Sequence, residues 1–271
     1  MNFLDQTRIM SITSGKGGVG KTTLISNIAL GLAQQGKKVL IFDADLGMAN
    51  VDLFFGIKAN GHIGEVIDGQ KELREILVEL TKNVYLIPGG SGVVELQHMN
   101  HFQKRAMLDA IQDLPMNFDV VLIDTAPGLA EHVLYFNSVA EENYLVLTPD
   151  PSSFADGYAL VKVLHHQYKK KKFSVILNQV KDQQEAMKIF SKFQDIVAQF
   201  LHIRIDYLGF LPFDQSLKKA VQSQRLILKQ DPMAISSKGI QEIIAEIQRT
   251  NVRTGSKTSS KQFWSQVVGM A

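Results

Sequence analysis

Apolar positions along the chain fall into short dense runs separated by longer segments of helical spacing. The runs Arg8-Ile9-Met10-Ser11-Ile12-Thr13, Lys38-Val39-Leu40-Ile41-Phe42, Asn83-Val84-Tyr85-Leu86-Ile87, Phe118-Asp119-Val120-Val121-Leu122-Ile123-Asp124, Asn143-Tyr144-Leu145-Val146-Leu147-Thr148 and Lys172-Phe173-Ser174-Val175-Ile176-Leu177-Asn178 have the length and apolar density of buried strands. A last strand is expected over 206–212. Between them Leu24, Ile28 and Leu32 recur every fourth residue before Gly36, and a helical pattern spans 102–114 up to Pro115. Further helices are expected over 158–168, 185–201, 215–222 and 234–250, with 150–157 as a loop. Ile63, Val66, Ile67, Leu73, Ile76, Leu77 and Leu80 predict helix within 61–80. This alternation predicts an α/β fold with a mostly parallel central sheet and helices on both faces, as one domain over 1–250.

The C-terminal stretch breaks the pattern. Residues 251–261 are rich in Ser, Thr, Lys and Gly, which predicts a flexible linker. In 262–271, Phe263, Trp264, Val267 and Val268 would share one helix face, with Lys257 and Lys261 nearby. Two readings stay open: an amphipathic tail that binds anionic membrane lipid, or a tail that docks on its own core.

Composition narrows the chemistry. At 271 residues and 45% hydrophobic content, the chain can bury a large core. With no cysteine it has no disulfide framework, thiolate-held iron–sulfur cluster or Cys-based zinc site. A balance of 29 basic against 27 acidic residues, net +2, argues against nucleic acid as a partner held by bulk charge. No secretory signal and no apolar run near the ~20 residues of a spanning helix is visible, so the expected localisation is cytoplasmic. His165 and His166 read as surface residues, and the Lys169–Lys172 run as a solvated helix end, with binding to anionic lipid or a partner as the lesser alternative.

The most informative segment is Ser14-Gly15-Lys16-Gly17-Gly18-Val19-Gly20-Lys21-Thr22-Thr23, whose inner part fits G-x-x-x-x-G-K-[ST]. Glycines let successive amide groups turn inward on one anion, Lys21 adds a fixed charge for the outer phosphates, and the Thr22 hydroxyl suits Mg2+. Strand, loop and helix follow in the order that aims a helix N-terminus at a phosphate. Asp43 and Asp45, one residue apart where the second strand ends, can face one cavity, and Asp124, closing the strongest strand, fits a metal-side carboxylate. Thr125-Ala126-Pro127-Gly128 then supplies a glycine amide able to sense a γ-phosphate. Asn178 offers donor and acceptor together, which suits an adenine edge.

Lys16, directly after the first glycine, gives the loop a second lysine. The segment thereby resembles the deviant Walker A branch of P-loop ATPases, the MinD/ParA group with a SIMIBI-like architecture. That resemblance implies ATP/ADP and Mg2+ as cofactors and slow, partner-stimulated ATP hydrolysis. It implies an ATP-bound homodimer in which Lys16 reaches the nucleotide of the facing subunit. It further implies that Asp45 positions water, that Asp43 lies near the metal, that Asn178 contacts the base, and that Pro212, Phe213 and Asp214 close over the purine. The segments D-A-D-L-G-M-A-N-V-D, L-I-D-T-A-P-G, T-P-D-P-S-S-F-A-D-G-Y-A-L-V-K and L-G-F-L-P-F-D-Q-S-L-K-K-A-V are similar to the FlhG/FleN/YlxH branch. Members of that branch control flagellar number and placement. They work with an FlhF-type GTPase, flagellar basal-body (C-ring) proteins and, in some bacteria, a transcriptional activator, and they sit reversibly at the inner face of the membrane. The N-terminal D-Q-A-x-x-L-R arm of many members is reduced here to Asp5-Gln6-Thr7-Arg8. MinD-type division-site ATPases and ParA-type DNA partition ATPases are the alternative readings.

Overall fold

A computed structural model of the chain describes residues 7–45, 51–90, 100–112, 114, 116–254 and 260–269. The strands are β1 Arg8–Thr13, β2 Val39–Ala44, β3 Val78–Thr81, β4 Val84–Pro88, β5 Val120–Thr125, β6 Glu142–Leu147, β7 Phe173–Val180 and β8 Asp206–Pro212. The described helices are α1 Lys21–Gln34, α2 Val51–Phe54, α3 Ile63–Ile67, α4 Leu73–Ile76, α5 His101–Gln112, α6 Glu131–Val139, α7 Pro151–Tyr168, α8 Gln183–Leu201, α9 Gln215–Gln222, α10 Ile227–Gln230, α11 Ile235–Thr254 and α12 Ser260–Val267.

The sheet runs β3-β4-β2-β5-β1-β6-β7-β8, parallel except for β3 at one edge. Successive strand residues point to opposite faces, so each dense apolar run feeds two cores. Met10, Ile12, Ile41 and Leu122 meet α1 and α11 on one face. Ile9, Phe42, Val121 and Ile123 meet α3, α4 and α6 on the other, and Leu145, Leu147, Val175 and Leu177 meet α7 and α8. The order turns back on either side of β1, so the loop leaving β1 opens into the crevice at the strands' carboxyl ends, where such sheets bind ligands.

Four local expectations change. Helix was expected through Leu80. The chain instead becomes extended at Leu77 (φ −69°, ψ 117°) and forms β3, antiparallel to β4, with Asn83 taking the left-handed turn (φ 66°). Val78 and Thr81 are β-branched and suit that short edge. Helix α7 begins seven residues before Tyr158: Pro151 occupies its first turn and the Asp150 carboxylate caps it by accepting the Ser152 N–H at 2.8 Å. Helix α11 continues to Thr254, past residue 250. Helix α6 had no counterpart in the sequence pattern, and it supports both the site and the tail.

Candidate nucleotide site

The glycine loop is held from three sides. Gly15 lies against the backbone of Asp156 in α7, where an added Cβ would come within 2.3 Å of the carbonyl carbon. Gly20 is left-handed (φ 94°) and lies against Asn178 Nδ2, which would be 2.5 Å from an added Cβ. At both positions only glycine leaves room, and at Gly20 it also permits the backbone. Asn178 Nδ2 donates to the Val19 carbonyl at 2.7 Å, so the end of β7 braces the loop directly. Gly128 N–H donates to Ser14 O at 3.0 Å, tying the loop after β5 to the same turn.

The two lysines point differently. Lys21 is buried and donates to Ser14 Oγ at 3.0 Å. Burial pulls its pKa down while Asp124 and Asp45 oppose that shift. Lys16 leaves the loop and meets Asp150 Oδ2 at 2.5 Å and Ser152 Oγ at 2.7 Å, with 38% of its side chain exposed. The Lys16 ammonium and the Ser152 donors hold the Asp150 carboxyl down at about 2.

Asp43 and Asp124 face each other in the β2–β5 register, both buried. Burial raises Asp43 well above the ordinary carboxylate range, and the charge of Asp124 adds to this. Burial likewise pushes Asp124 up to about 7, against the Thr22 hydroxyl and Lys21. One Asp124 oxygen, Oδ1, is fully buried without a hydrogen-bond partner. Two carboxylates, one of them with an unpartnered oxygen, and the Thr22 hydroxyl are the hard oxygen donors Mg2+ prefers, with phosphate and water left to complete the shell. The residues therefore fit that ion. In the unfolded chain Asp124 loses its proton near 4; folded, it keeps it to about 7. Between those values the native state binds more protons, so this group makes stability fall as pH rises. Asp124→Asn cannot ionise. It is expected to melt above wild type at pH 8 without nucleotide, with the gap closing toward pH 4, and to lose the Tm rise that Mg2+ and ATP give wild type. A variant that melts lower at pH 8 contradicts this electrostatic account.

The other site residues are placed as follows. Asp45 directly follows β2, and its N–H donates to Asp43 Oδ1 at 3.1 Å. Residues 46–50, within the segment D-A-D-L-G-M-A-N-V-D, lie outside the described residues, as do 91–99. Gly17 and Gly18 are exposed at the mouth, and Thr23 O accepts from Asn27. Pro212 ends β8 and Phe213 is 56% exposed. The Asp214 carboxylate caps α9 through Ser216 N–H and also accepts from Ser236, so both its oxygens shape that loop. His132, in the first turn of α6, was missed with its helix. Burial lowers its pKa while the nearby Asp45 charge opposes.

The tail has a definite place. Trp264, Val267 and Val268 are buried in the core that contains Phe42 and Phe136. The Trp264 ring meets Phe42 edge-on at 6.1 Å, and Tyr135 Oη lies 2.7 Å from the carbonyls of both Gln266 and Val267. Of the two tail readings, this structure contains the docked one. The side chain of Phe263 lies outside the described ones.

Comparison with known proteins agrees with the geometry. A sequence profile of the AAA domain family matches residues 7–176. The chain is 34% identical over 247 residues to the antiactivator FleN of Pseudomonas aeruginosa, covering 91% of this chain and 88% of that protein. It is 31% identical over 238 residues to the flagellum site-determining protein YlxH of Helicobacter pylori, covering 88% and 80%. Among solved structures, the MinD cell division protein of Aquifex aeolicus superposes with a TM-score of 0.72 at 25% identity, covering 89% of this chain and 97% of that one. MinD of Pyrococcus horikoshii, solved with Mg-ADP, shares the fold at a TM-score of 0.69 and 24% identity, covering 92% and 100%.

Proposed function

Since the chain belongs to the AAA-domain family of MinD/ParA-type P-loop ATPases, in the branch of FleN and YlxH, we propose that it is a nucleotide-switched ATPase that dimerises on ATP, attaches to the membrane and sets flagellar number and placement. The observation that carries this reading is the pair of lysines in one glycine loop. Lys21 is turned inward onto Ser14, and Lys16 is turned outward, held among the described residues by the partly exposed Asp150 and Ser152. An exposed ion pair is a weak restraint. Lys16 is therefore free to exchange Asp150 for the phosphates of a facing copy, which carry more charge.

In this cycle the loop amides, Lys21, Thr22 and Thr23 bind the triphosphate, and Asn178 with the 212–214 loop holds the base. Asp43, Asp124 and Thr22 hold Mg2+, which would neutralise charge on the phosphates. Asp45 aligns water for in-line attack, and loss of the γ-phosphate releases the dimer. FlhF-type GTPases, C-ring proteins and a flagellar transcriptional activator are the partners this reading implies. Deleting the gene in its own host should change flagellar number per cell; an unchanged count rejects the flagellar assignment.

Membrane attachment requires the docked tail to leave its groove, because among the described residues no helix is long and apolar enough to cross a membrane. Burying Trp264, Val267 and Val268 stabilises the docked state by on the order of 5 kcal/mol. A short amphipathic helix, like a single acyl chain, gains about the same in a bilayer. Two nearly equal wells let a small bias decide, and a dimer supplies one by presenting two tails at once. Trp264 is the chain's single tryptophan, so its fluorescence reports the tail alone. Brominated anionic vesicles are expected to quench it with a non-hydrolysable ATP analogue and not with ADP. Equal quenching in both states removes nucleotide control of the tail.

A further inference from the structure

Every parallel strand here starts at the sheet edge opposite the nucleotide, and that edge is studded with cations. Lys37 and Lys38 precede β2, Lys82 precedes β4, Lys169 and Lys171 precede β7, and Arg204 precedes β8; all six are exposed. Acids at the same edge are fewer, Asp119, Glu141, Glu142 and Asp206, and two of them hold groups of the fold. Glu142 is paired with the buried Arg8, and the Asp119 carboxylate accepts the Lys38 backbone N–H.

The tail is rooted at this edge as well. Arg8 joins the end of α11 to the start of β6: its guanidinium donates to the Ile247 carbonyl, to Thr250 Oγ1 at 3.2 Å and to Glu142 Oε2 at 2.7 Å. Two residues before Glu142, the Ala140 carbonyl accepts from Lys170 Nζ at 2.5 Å. The root of the tail and the lysine turn are thus neighbours across residues 140–142. Six Cα steps separate Thr254 from Ser260, a reach of about 20 Å, so a released tail stays beside this edge.

We infer that the strand-start edge is a second membrane contact, which binds anionic lipid headgroups electrostatically while the tail inserts; this rests on the membrane-attachment reading above. Charge complementarity and the tail fix the occupant. A basic surface beside an amphipathic Trp-bearing helix matches an anionic bilayer, where headgroups meet the lysines and the apolar boundary meets Trp264. A nucleic acid would leave the apolar tail unused.

The test is co-sedimentation of the full chain, with Mg2+ and a non-hydrolysable ATP analogue, on vesicles of phosphatidylglycerol and phosphatidylcholine. It compares wild type, a chain lacking 263–271, and the triple variant Lys37→Gln, Lys171→Gln, Arg204→Gln. Each basic side chain near an anionic leaflet strengthens attachment about fivefold, so the triple variant should bind on the order of a hundredfold more weakly. Wild-type binding should fall steeply with salt, and pure phosphatidylcholine should hold the wild type and the triple variant equally. The triple variant's vesicle-free ATP hydrolysis and circular dichroism should match wild type. If it sediments like wild type while the tail-less chain does not, the edge is not a lipid contact and the tail reading survives. If it loses only binding to duplex DNA, followed by fluorescence anisotropy, the edge is a nucleic-acid surface and the inference is wrong. Wild type that sediments with no vesicle overturns both readings together.

Discussion

Lys16→Ala is expected to bind nucleotide as wild type does and to remain a single protomer at concentrations where wild type with ATP is dimeric. Nucleotide binding survives because the groups facing the chain's own cleft stay in place: Lys21 on Ser14, Asn178 on Val19 and the Gly128 amide on Ser14. Dimerisation fails because the removed ammonium is the charge that would meet the partner's phosphates. A cation supplied in trans to a transferring phosphoryl group is worth about a thousandfold or more in rate. The same contact, made only in the closed pair, should be worth at least about a hundredfold in dimer affinity, the scale of a charge-assisted bond in a water-excluded site. The alanine also frees Asp150 from its cation, yet Asp150 still caps α7 through Ser152, so the fold should be unaffected. Equal nucleotide affinity for the two chains by calorimetry, with single-protomer elution of the variant alone, is the predicted pattern. A variant that still dimerises removes the trans role from Lys16.

Asp45→Ala is expected to do the opposite: to dimerise and stay dimeric, with hydrolysis reduced by about two to four orders of magnitude, the range for loss of a positioned proton acceptor. Asp45 sits where β2 ends, one residue beyond the strand's last pair, Ala44 opposite Thr125. Asp43 pairs with Asp124 in the β2–β5 register, both buried, so the proposed cycle assigns that pair to Mg2+ and the more accessible Asp45 to positioning water. Single-turnover hydrolysis of Asp45→Ala separates chemistry from product release. Turnover near the wild-type rate assigns water positioning to another group, and His132 of α6 would be the first to examine, because it lies close enough to feel the Asp45 charge.

How much of this could be read beforehand depends on whether a residue's role is local. The glycine loop was legible because its chemistry demands glycine at fixed spacing, and the structure shows the crowding at Gly15 and Gly20 that enforces it. Asp43 and Asp124 were legible because each closes a buried run. Strand β3 was not, since Ile76, Leu77 and Leu80 fit a helical stripe until pairing with β4 decides between the two periods. Helix α6 was hidden by a polar residue on its inner face. Asn137 is fully buried and exchanges hydrogen bonds with Ser11 and Thr13, which breaks the apolar stripe that would have marked the helix. The tail could not be decided from sequence at all, because one amphipathic face suits a protein groove and a bilayer alike; only the positions of Phe42 and Tyr135 reveal the groove.

The central claim is that a triphosphate closes two copies of this chain on each other through Lys16. Light scattering on purified protein, with Mg2+ and a saturating non-hydrolysable ATP analogue, tests it most directly. The account predicts that the wild-type mass doubles relative to the ADP state while Lys16→Ala stays at one protomer. A wild-type mass of one protomer under those conditions, with the analogue shown to be bound, contradicts it.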